Sequence, residues 1–499
     1  MGMLAPQCEQ TLARSEPQVS FQRDGDGETS IPYLPEDIWR HIHSLMPMDA
    51  AARAACLSHT FLNSWRCYPR LDLNPGTLCS KQTDERHFRC RVDSILRNHS
   101  GVGLKKLKLN LCPEKSRCLP YLDSWLQAAV TPGVEEITLW LDEGYNFPCL
   151  VLSSEGVRDS VRSVHLIYCT FRPKPELGRL RSLTRLSLCY VRIAEEELEC
   201  LLSNALALEH LDIDRSKEIV LLKIPSVLQQ LSYLQVRGLE NLQAVENNAP
   251  NLSRFFLGGV GEVKKLSLGE ASQKAMKVFS LCRRNAVSYA LAELPSIMPN
   301  LESLCLSSSC EVHTPPMLPT KFLNLKHLAI QICGGTISQP YDYFSLVSFL
   351  DASPSLETWC LHVYEDRQEH ESVFGGGSAL HLRQLPEHLK LKSVEIIGFR
   401  SAKILVELTC CIVKSAVSLE RLTLNTFDGY SRCSGENNSD CRDVMCHPIS
   451  KAELEEASRA VAAITRYIQD LVPPTAKLTV LEPCPCPRCR RSTPVSSAR

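Results

Sequence analysis

Apolar positions along this chain follow two different rhythms. Leu34, Ile38, Ile42 and Leu45 recur at spacings of four, four and three, which is one face of a helix. Pro35 reads as its first helical residue, where the missing N–H is harmless. Glu36 and Asp37 follow in the first turn, where carboxylates suit the positive end of the helix dipole. Pro47 stops the helix. Asp49 reads as the cap of a short Ala-rich second helix through Cys56, and Ser58 as the cap of a third carrying Phe61, Leu62 and Trp65. Three helices in about forty residues fall below the size at which one core stabilises itself. Either the neighbouring chain or a partner must therefore cover this module.

Past residue 100 the rhythm changes to apolar, two residues, apolar, one residue, apolar. Copies begin at Leu104, Val134, Val161, Leu183, Leu208, Leu231, Leu252, Leu301, Leu325, Leu356, Leu391 and Leu419. Starts in the middle are 21 to 27 residues apart, and later ones stretch to 31 and 35. The gap between 252 and 301 spans about two periods and contains Val263-Leu266-Leu268. This is the leucine-rich repeat pattern. It predicts a short parallel strand per copy, with the last two apolar residues pointing inward and a helix or irregular turn returning behind. Pro-Asn-Leu at 250–252 and 299–301 reads as the stop of a returning segment before a strand. Cys112, Cys169 and Cys333 each fall three positions after a motif, where they are expected to satisfy turn backbone.

Residues between the core positions form the binding ladder of such an array. Tyr233, Gln235, Arg237, Arg254 and Phe256 stand out there, because aromatic and arginine side chains side by side are the usual hot-spot types. They are the candidate substrate-binding residues. From about Ser372 the character shifts. Gly375-Gly376-Gly377 reads as a flexible loop, and Ile404, Leu405, Leu408, Cys411 and Ile412 as a helical face. Ser450 with Glu453 forms a capping box ahead of Leu454, Ala457, Val461, Ile464, Ile468 and Leu471, a helix expected to cover the open end of the array. Leu478-Thr479-Val480 reads as a last strand.

Composition narrows the function classes. Formal net charge is −1, from 55 basic and 56 acidic residues, which gives no general reason to expect nucleic-acid or membrane partners. No apolar run approaches a membrane span, and residues 1–30 lack the apolar core of a signal peptide. The 24 cysteines are then expected to be reduced thiols in a cytoplasmic or nuclear setting. Cys484, Cys486 and Cys489 lack a fourth ligand unless Cys441, Cys446 or His447 folds across to them, so the tail reads as an exposed segment and not a metal site. No nucleophile elbow, zinc-protease, dinucleotide or kinase motif is present. The chain is expected to be no enzyme and to use no cofactor.

Residues 31–72 resemble the F-box. Leu34-Pro35-Glu36-Asp37-Ile38 matches its opening, and Leu57-Ser58, Trp65-Arg66 and Leu71-Asp72-Leu73 match its closing half. The stretch from His388 through Leu424 resembles the FBD-type end that follows the repeats in plant F-box/leucine-rich-repeat proteins of the grass type. The resemblance implies an α/β chain in which a three-helix F-box is followed by a horseshoe-shaped repeat solenoid with a helical C-terminal cap. Its expected divisions are a disordered segment 1–29, the F-box 30–74, repeats 75–371, FBD-like and terminal repeats 372–482 and a disordered tail 483–499. It implies a substrate-recognition subunit of a Skp–cullin–F-box ubiquitin ligase, docking a Skp-type adaptor and capturing a protein substrate. Carried over by position, Leu34, Pro35, Ile38, Ile42, Leu45, Phe61, Trp65 and Arg66 are the adaptor-binding residues. The family pattern has Trp where this chain has Phe61, with basic residues where it has His59-Thr60, a departure that predicts weaker adaptor binding. A scaffold with a degenerate F-box, or a small-molecule-dependent co-receptor, are the alternative readings.

Overall fold

The fold comes from a computed structural model, which describes residues 34–79, 85–111, 118–259, 263–309, 311, 321–333, 341–364, 370–375, 379–427 and 449–483. The segment 1–29, the tail cysteines, Cys112, Cys441, Cys446, His447, Gly376 and Gly377 lie outside them.

Every apolar repeat finds its strand. In the sequence motif the last two apolar residues alternate with one polar residue, the period of a strand with one buried face. The main sheet runs from Arg70–Leu73 to Lys477–Leu481, and its neighbours pair in parallel. Register is strict. Leu107, Ile137, Val164, Leu186, Leu211 and Leu234 lie opposite one another in turn. The row continues through Phe255, Phe279, Leu304, Leu328, Trp359, Val394, Leu422 and Leu478. A slip of one residue would turn each of these side chains to the solvent face. Behind the sheet, the helix Ala286–Ile297 buries one face in the same continuous core, and Lys403–Ser415 is buried nearly all round.

Two repeat assignments change. Val263-Leu266-Leu268 does not fill the gap in the main sheet. Its strand, Lys265–Leu268, belongs to a second sheet of three strands with Ala244–Asn247 and Leu221–Ile224. The missing main-sheet strand is Val278–Arg283, where Met276, Phe279 and Leu281 supply the three apolar positions. Over this stretch the returning segment is itself a strand, so one chain carries the same apolar spacing twice per repeat. The cysteine expectation also changes: Cys169 and Cys333 sit on strands, not turns. Asn251 and Asn300 serve the turns, their side-chain amides donating to the carbonyls of Gln229 and Lys274 at 2.8 and 3.0 Å.

The C-terminal helix and last strand both form, but the helix expected to cover the open end has Lys403–Ser415 as its main packing partner and not the end strand. Ser450 and Glu453 make the reciprocal capping box, with Glu453 N–H donating to Ser450 Oγ at 3.2 Å and Ser450 N–H to Glu453 Oε2 at 2.7 Å. The helix Lys451–Tyr467 buries Ala457, Ala460, Ala463 and Ile464 and packs on Lys403–Ser415. Its Glu456 carboxylate accepts from Ser401 N–H at 2.7 Å. At the sheet's end Lys477–Leu481 is the outermost strand.

The N-terminal module consists of α1 (Glu36–Leu45), α2 (Met48–Ala54) and α3 (His59–Arg66). Pro35 stands one residue before α1, in extended backbone, and its carbonyl accepts from Ile38 and Trp39 N–H. Pro47 takes the same place before α2, which ends at Ala54; Asp49 lies in the first turn and pairs with Arg53 at 3.1 Å. Ser58 does cap α3, accepting from Phe61 N–H at 3.2 Å.

The strand that fills the gap gives a direct test. Phe279→Ala should cost about 3–5 kcal/mol in urea titrations, whereas a loss under about 1 kcal/mol would place Phe279 outside the core.

Candidate functional site

Helix α1 carries one wide apolar stripe, whose inner and outer parts lie roughly a quarter turn apart. Trp39, His43 and Met46 turn inward. Trp39 meets Phe61 edge-on at 5.3 Å, and His43 lies 5.8 Å from Phe61, 6.5 Å from Trp65 and 6.0 Å from Tyr68, centroid to centroid. His43 Nε2 is 2.9 Å from the Ala51 carbonyl. This inner face was missed in the sequence, although Trp39, His43 and Met46 keep the helical spacing of four and three. The outer face carries the expected residues. Ile38 is 39%, Ile42 38% and Leu45 68% exposed, and Leu57 before α3 is 80% exposed. Pro35 and Arg66 are also exposed, Leu34 and Phe61 are half-buried, and Trp65 is buried at 7%. Trp65 therefore holds α3 in place from inside the module.

The module is fastened to the repeats behind it. Tyr68 hydroxyl donates to the Met46 carbonyl at 2.8 Å, His99 Nε2 lies 2.8 Å from the Tyr68 carbonyl, and Ser100 donates through both N–H and hydroxyl to the Arg66 carbonyl. Arg70 reaches the Ser44 carbonyl. Inner-face burial thus comes from the chain itself, and the outer face is left open.

On the solvent face of the sheet the five candidate substrate-binding residues come together on two neighbouring strands, Tyr233–Arg237 and Arg254–Gly258. Tyr233 is opposite Arg254, and Gln235 opposite Phe256. Two aspartates one strand earlier organise them. Asp212 accepts from Gln235 Nε2 at 2.9 Å and from Ser187 hydroxyl at 3.3 Å, while Gln235 Oε1 accepts from Tyr233 hydroxyl at 2.7 Å. Asp214 pairs with Arg237 at 3.4 Å. His210 stacks on Tyr233 at 5.1 Å. Burial, reinforced by Arg185 and Arg254, holds His210 below its ordinary range, and burial followed by Asp212 raises the Tyr233 phenol. A hollow of about 410 Å³ opens between His165, Arg185, Asp212, Tyr233 and Arg254.

At the strand ends a column of left-handed backbone crosses five repeats. Tyr168, Tyr190, Arg215, Gly238 and Gly259 all have positive φ, between 52° and 62°. Each stands two residues after the last apolar position of its motif. For Tyr and Arg that conformation costs about 1–2 kcal/mol per residue. The repeated register was readable in the sequence, but only the two glycines hinted at the backbone.

Among the described residues no group of three or more His, Cys, Asp and Glu side chains could hold a metal ion. No helix among them is long and apolar enough to cross a membrane.

In-register parallel strands on an apolar three-position motif, with helices returning behind, define a leucine-rich-repeat solenoid, here preceded by a small helical module. The chain belongs to the plant family described as At1g61320/AtMIF1, LRR domain, whose model matches residues 95–485. Relatives in Arabidopsis thaliana carry F-box and FBD names. One FBD-associated F-box protein is 25% identical over 453 residues, covering 85% of this chain and 93% of the relative. Another is 25% identical over 417 residues, covering 80% and 91%. An F-box/FBD/LRR-repeat protein is 25% identical over 335 residues, covering 57% and 77%. A solved internalin of Listeria monocytogenes overlaps 60% of this chain and 69% of its own at 14% identity, but a TM-score of 0.29 is too loose to bear on function.

Burial holds His43 below the ordinary imidazole value of 6.5, against the raising effect of its Ala51 hydrogen bond. As pH falls through 6.5 the unfolded chain takes up a proton that the folded module rejects. Stability contributed by this site is therefore complete above that pH and declines below it. Urea titrations followed by tryptophan emission should show a lower midpoint at acid pH than at neutral pH, and His43→Gln should shrink that difference.

Proposed function

We propose that this protein is the substrate-recognition subunit of a Skp–cullin–F-box ubiquitin ligase. The observation that carries the reading is the outward apolar face of α1. A helix whose inner face is already satisfied by Phe61, Trp65 and Tyr68 has no internal use for Ile38, Ile42 and Leu45 on the outside. Exposed apolar patches of this kind mark interaction sites. The F-box resemblance and the F-box names of the relatives supply the partner, a Skp-type adaptor and, through it, a cullin. Leu34, Pro35, Ile38, Ile42 and Leu45 are the contacts, with Arg66 exposed beside them and Trp65 acting through α3. The ladder of polar, aromatic and arginine side chains on the sheet then holds a protein substrate, with Tyr233, Gln235, Arg237, Arg254 and Phe256 at its centre. The protein itself carries out no chemistry; transfer of ubiquitin falls to other subunits.

Phe61 matters less to docking than its position in the motif implies. Its ring packs on Trp39 and His43, so the smaller aromatic is accommodated within the module's own core. This favours a working F-box over a degenerate one.

The reading is tested at the outer face. Ile42→Glu with Leu45→Glu should reduce adaptor affinity roughly a hundredfold, about 2.8 kcal/mol, and leave the melting temperature of the full chain unchanged. Adaptor that co-purifies equally well with the double variant would refute the assignment.

A further inference from the structure

The left-handed column carries a stack of side chains, and the stack stops at a cleft. Trp140, 40% exposed, leads to Tyr168 at 6.4 Å, Tyr168 to Tyr190 at 4.4 Å, and the Arg215 guanidinium lies 5.0 Å over the Tyr190 ring. Arg215 also donates to the Tyr190 hydroxyl at 2.6 Å. The next two positions of the column are Gly238 and Gly259, which contribute no side chain. The Arg215 stem covers the first of them, so the open floor is the single strand spacing at Gly259, roughly 4.8 Å. A stacked contact needs about 3.5–4 Å. There the surface opens into a cleft of about 840 Å³.

The walls of this cleft suit a flat group. The Arg215 stem crosses Gly238, where an added Cβ would meet its Cγ at 2.5 Å. At Gly259 an added Cβ would meet only the Gly238 backbone, 3.4 Å away, so the floor there is clear. Across the floor the Phe256 ring lies over Gly258, 2.9 Å from where a Cβ would stand. Four basic and four acidic side chains line the cleft, and Arg237 is already paired with Asp214. That balance offers no net field for a phosphate or a nucleic acid. What the cleft does offer is stacking surface on two sides of an open glycine floor.

We infer that the cleft seats an exposed aromatic side chain of a protein partner, which lies on the Gly259 floor between Arg215 and Phe256 as the next member of the stack. The inference rests on the reading of the repeats as a partner-binding surface and names the feature that the surface selects. A random dodecapeptide phage library panned on the full chain tests it. Enriched peptides should share a Trp, Tyr or Phe, and their capture should change little with added sodium chloride. Capture should fall about tenfold or more, about 1.4 kcal/mol, on Gly259→Asn. Asn tolerates left-handed backbone, so that substitution fills the floor without straining it. Arg215→Ala, on the exposed wall, should lower capture as well and decides the matter if Gly259→Asn proves unstable. Enrichment without a shared aromatic, no enrichment at all, or equal capture by the variants would overturn the proposal. Adaptor binding measured on the same proteins separates the two ideas. If it persists while aromatic selection fails, the cleft assignment falls alone. If it is lost while aromatic selection holds, the ligase reading falls and the cleft stands.

Discussion

The strict register of the parallel backbone ladder is the constraint on which the rest of this structure depends. Each strand in the main row of the sheet, from Lys106–Asn110 to Arg421–Asn425, pairs with the strand before and the strand after in that row. Once that pairing is in register, alternate side chains have no choice of face. The same register that lines up Leu107, Ile137 and Val164 in the core also lines up Asp212, Gln235 and Phe256 on the solvent side. Binding residues that lie far apart in sequence are brought together by the core's periodicity alone, as expected when each repeat contacts only its neighbours.

The ladder also orients the N-terminal module. Its last connection, Arg70–Leu73, is the first strand of the sheet, and Tyr68, His99 and Ser100 join the helices to it through hydrogen bonds. With the inner face of α1 held against α3 by His43 and Trp39, Ile38, Ile42 and Leu45 are left exposed to solvent. A module too small to form a complete core by itself thus obtains half of one from the chain. Its remaining apolar side chains stay in solvent, where they are costly unless a partner covers them.

Legibility in the sequence follows the same division. The strands were readable because their apolar motif encodes both spacing and facing. The second sheet was not, because Val263-Leu266-Leu268 and Met276-Phe279-Leu281 carry the same spacing, and nothing local tells a strand which side of the solenoid it joins. The outer face of α1 was readable from Leu34, Ile38, Ile42 and Leu45. The inner part was obscured because Trp39, His43 and Met46 adjoin that row on the same wide stripe, and spacing alone does not say which part meets α3 and which meets solvent. Pro35 was placed one residue too far into the helix, an offset within the ordinary uncertainty of helix ends. Tyr233, Gln235, Arg237, Arg254 and Phe256 were grouped by residue type, and register put them together. The roles of Asp212 and Asp214 depended on cross-strand distances that the sequence does not contain.

The left-handed column sets a last physical question. Glycine occupies it without strain at Gly238 and Gly259, and yet Tyr168, Tyr190 and Arg215 occupy it as well. A well-stacked aromatic pair contributes about 0.5–1.5 kcal/mol beyond its buried area, close to the cost of one left-handed residue, about 1–2 kcal/mol. Two ring pairs and one guanidinium contact thus offset only part of the strain of three left-handed residues. The stack also holds only as a unit, since removing one ring leaves its neighbours in strained backbone with less to compensate them. Stability alone does not account for aromatic side chains at these positions. Their value lies in the surface they make, a row of rings and a guanidinium that leads to an open floor.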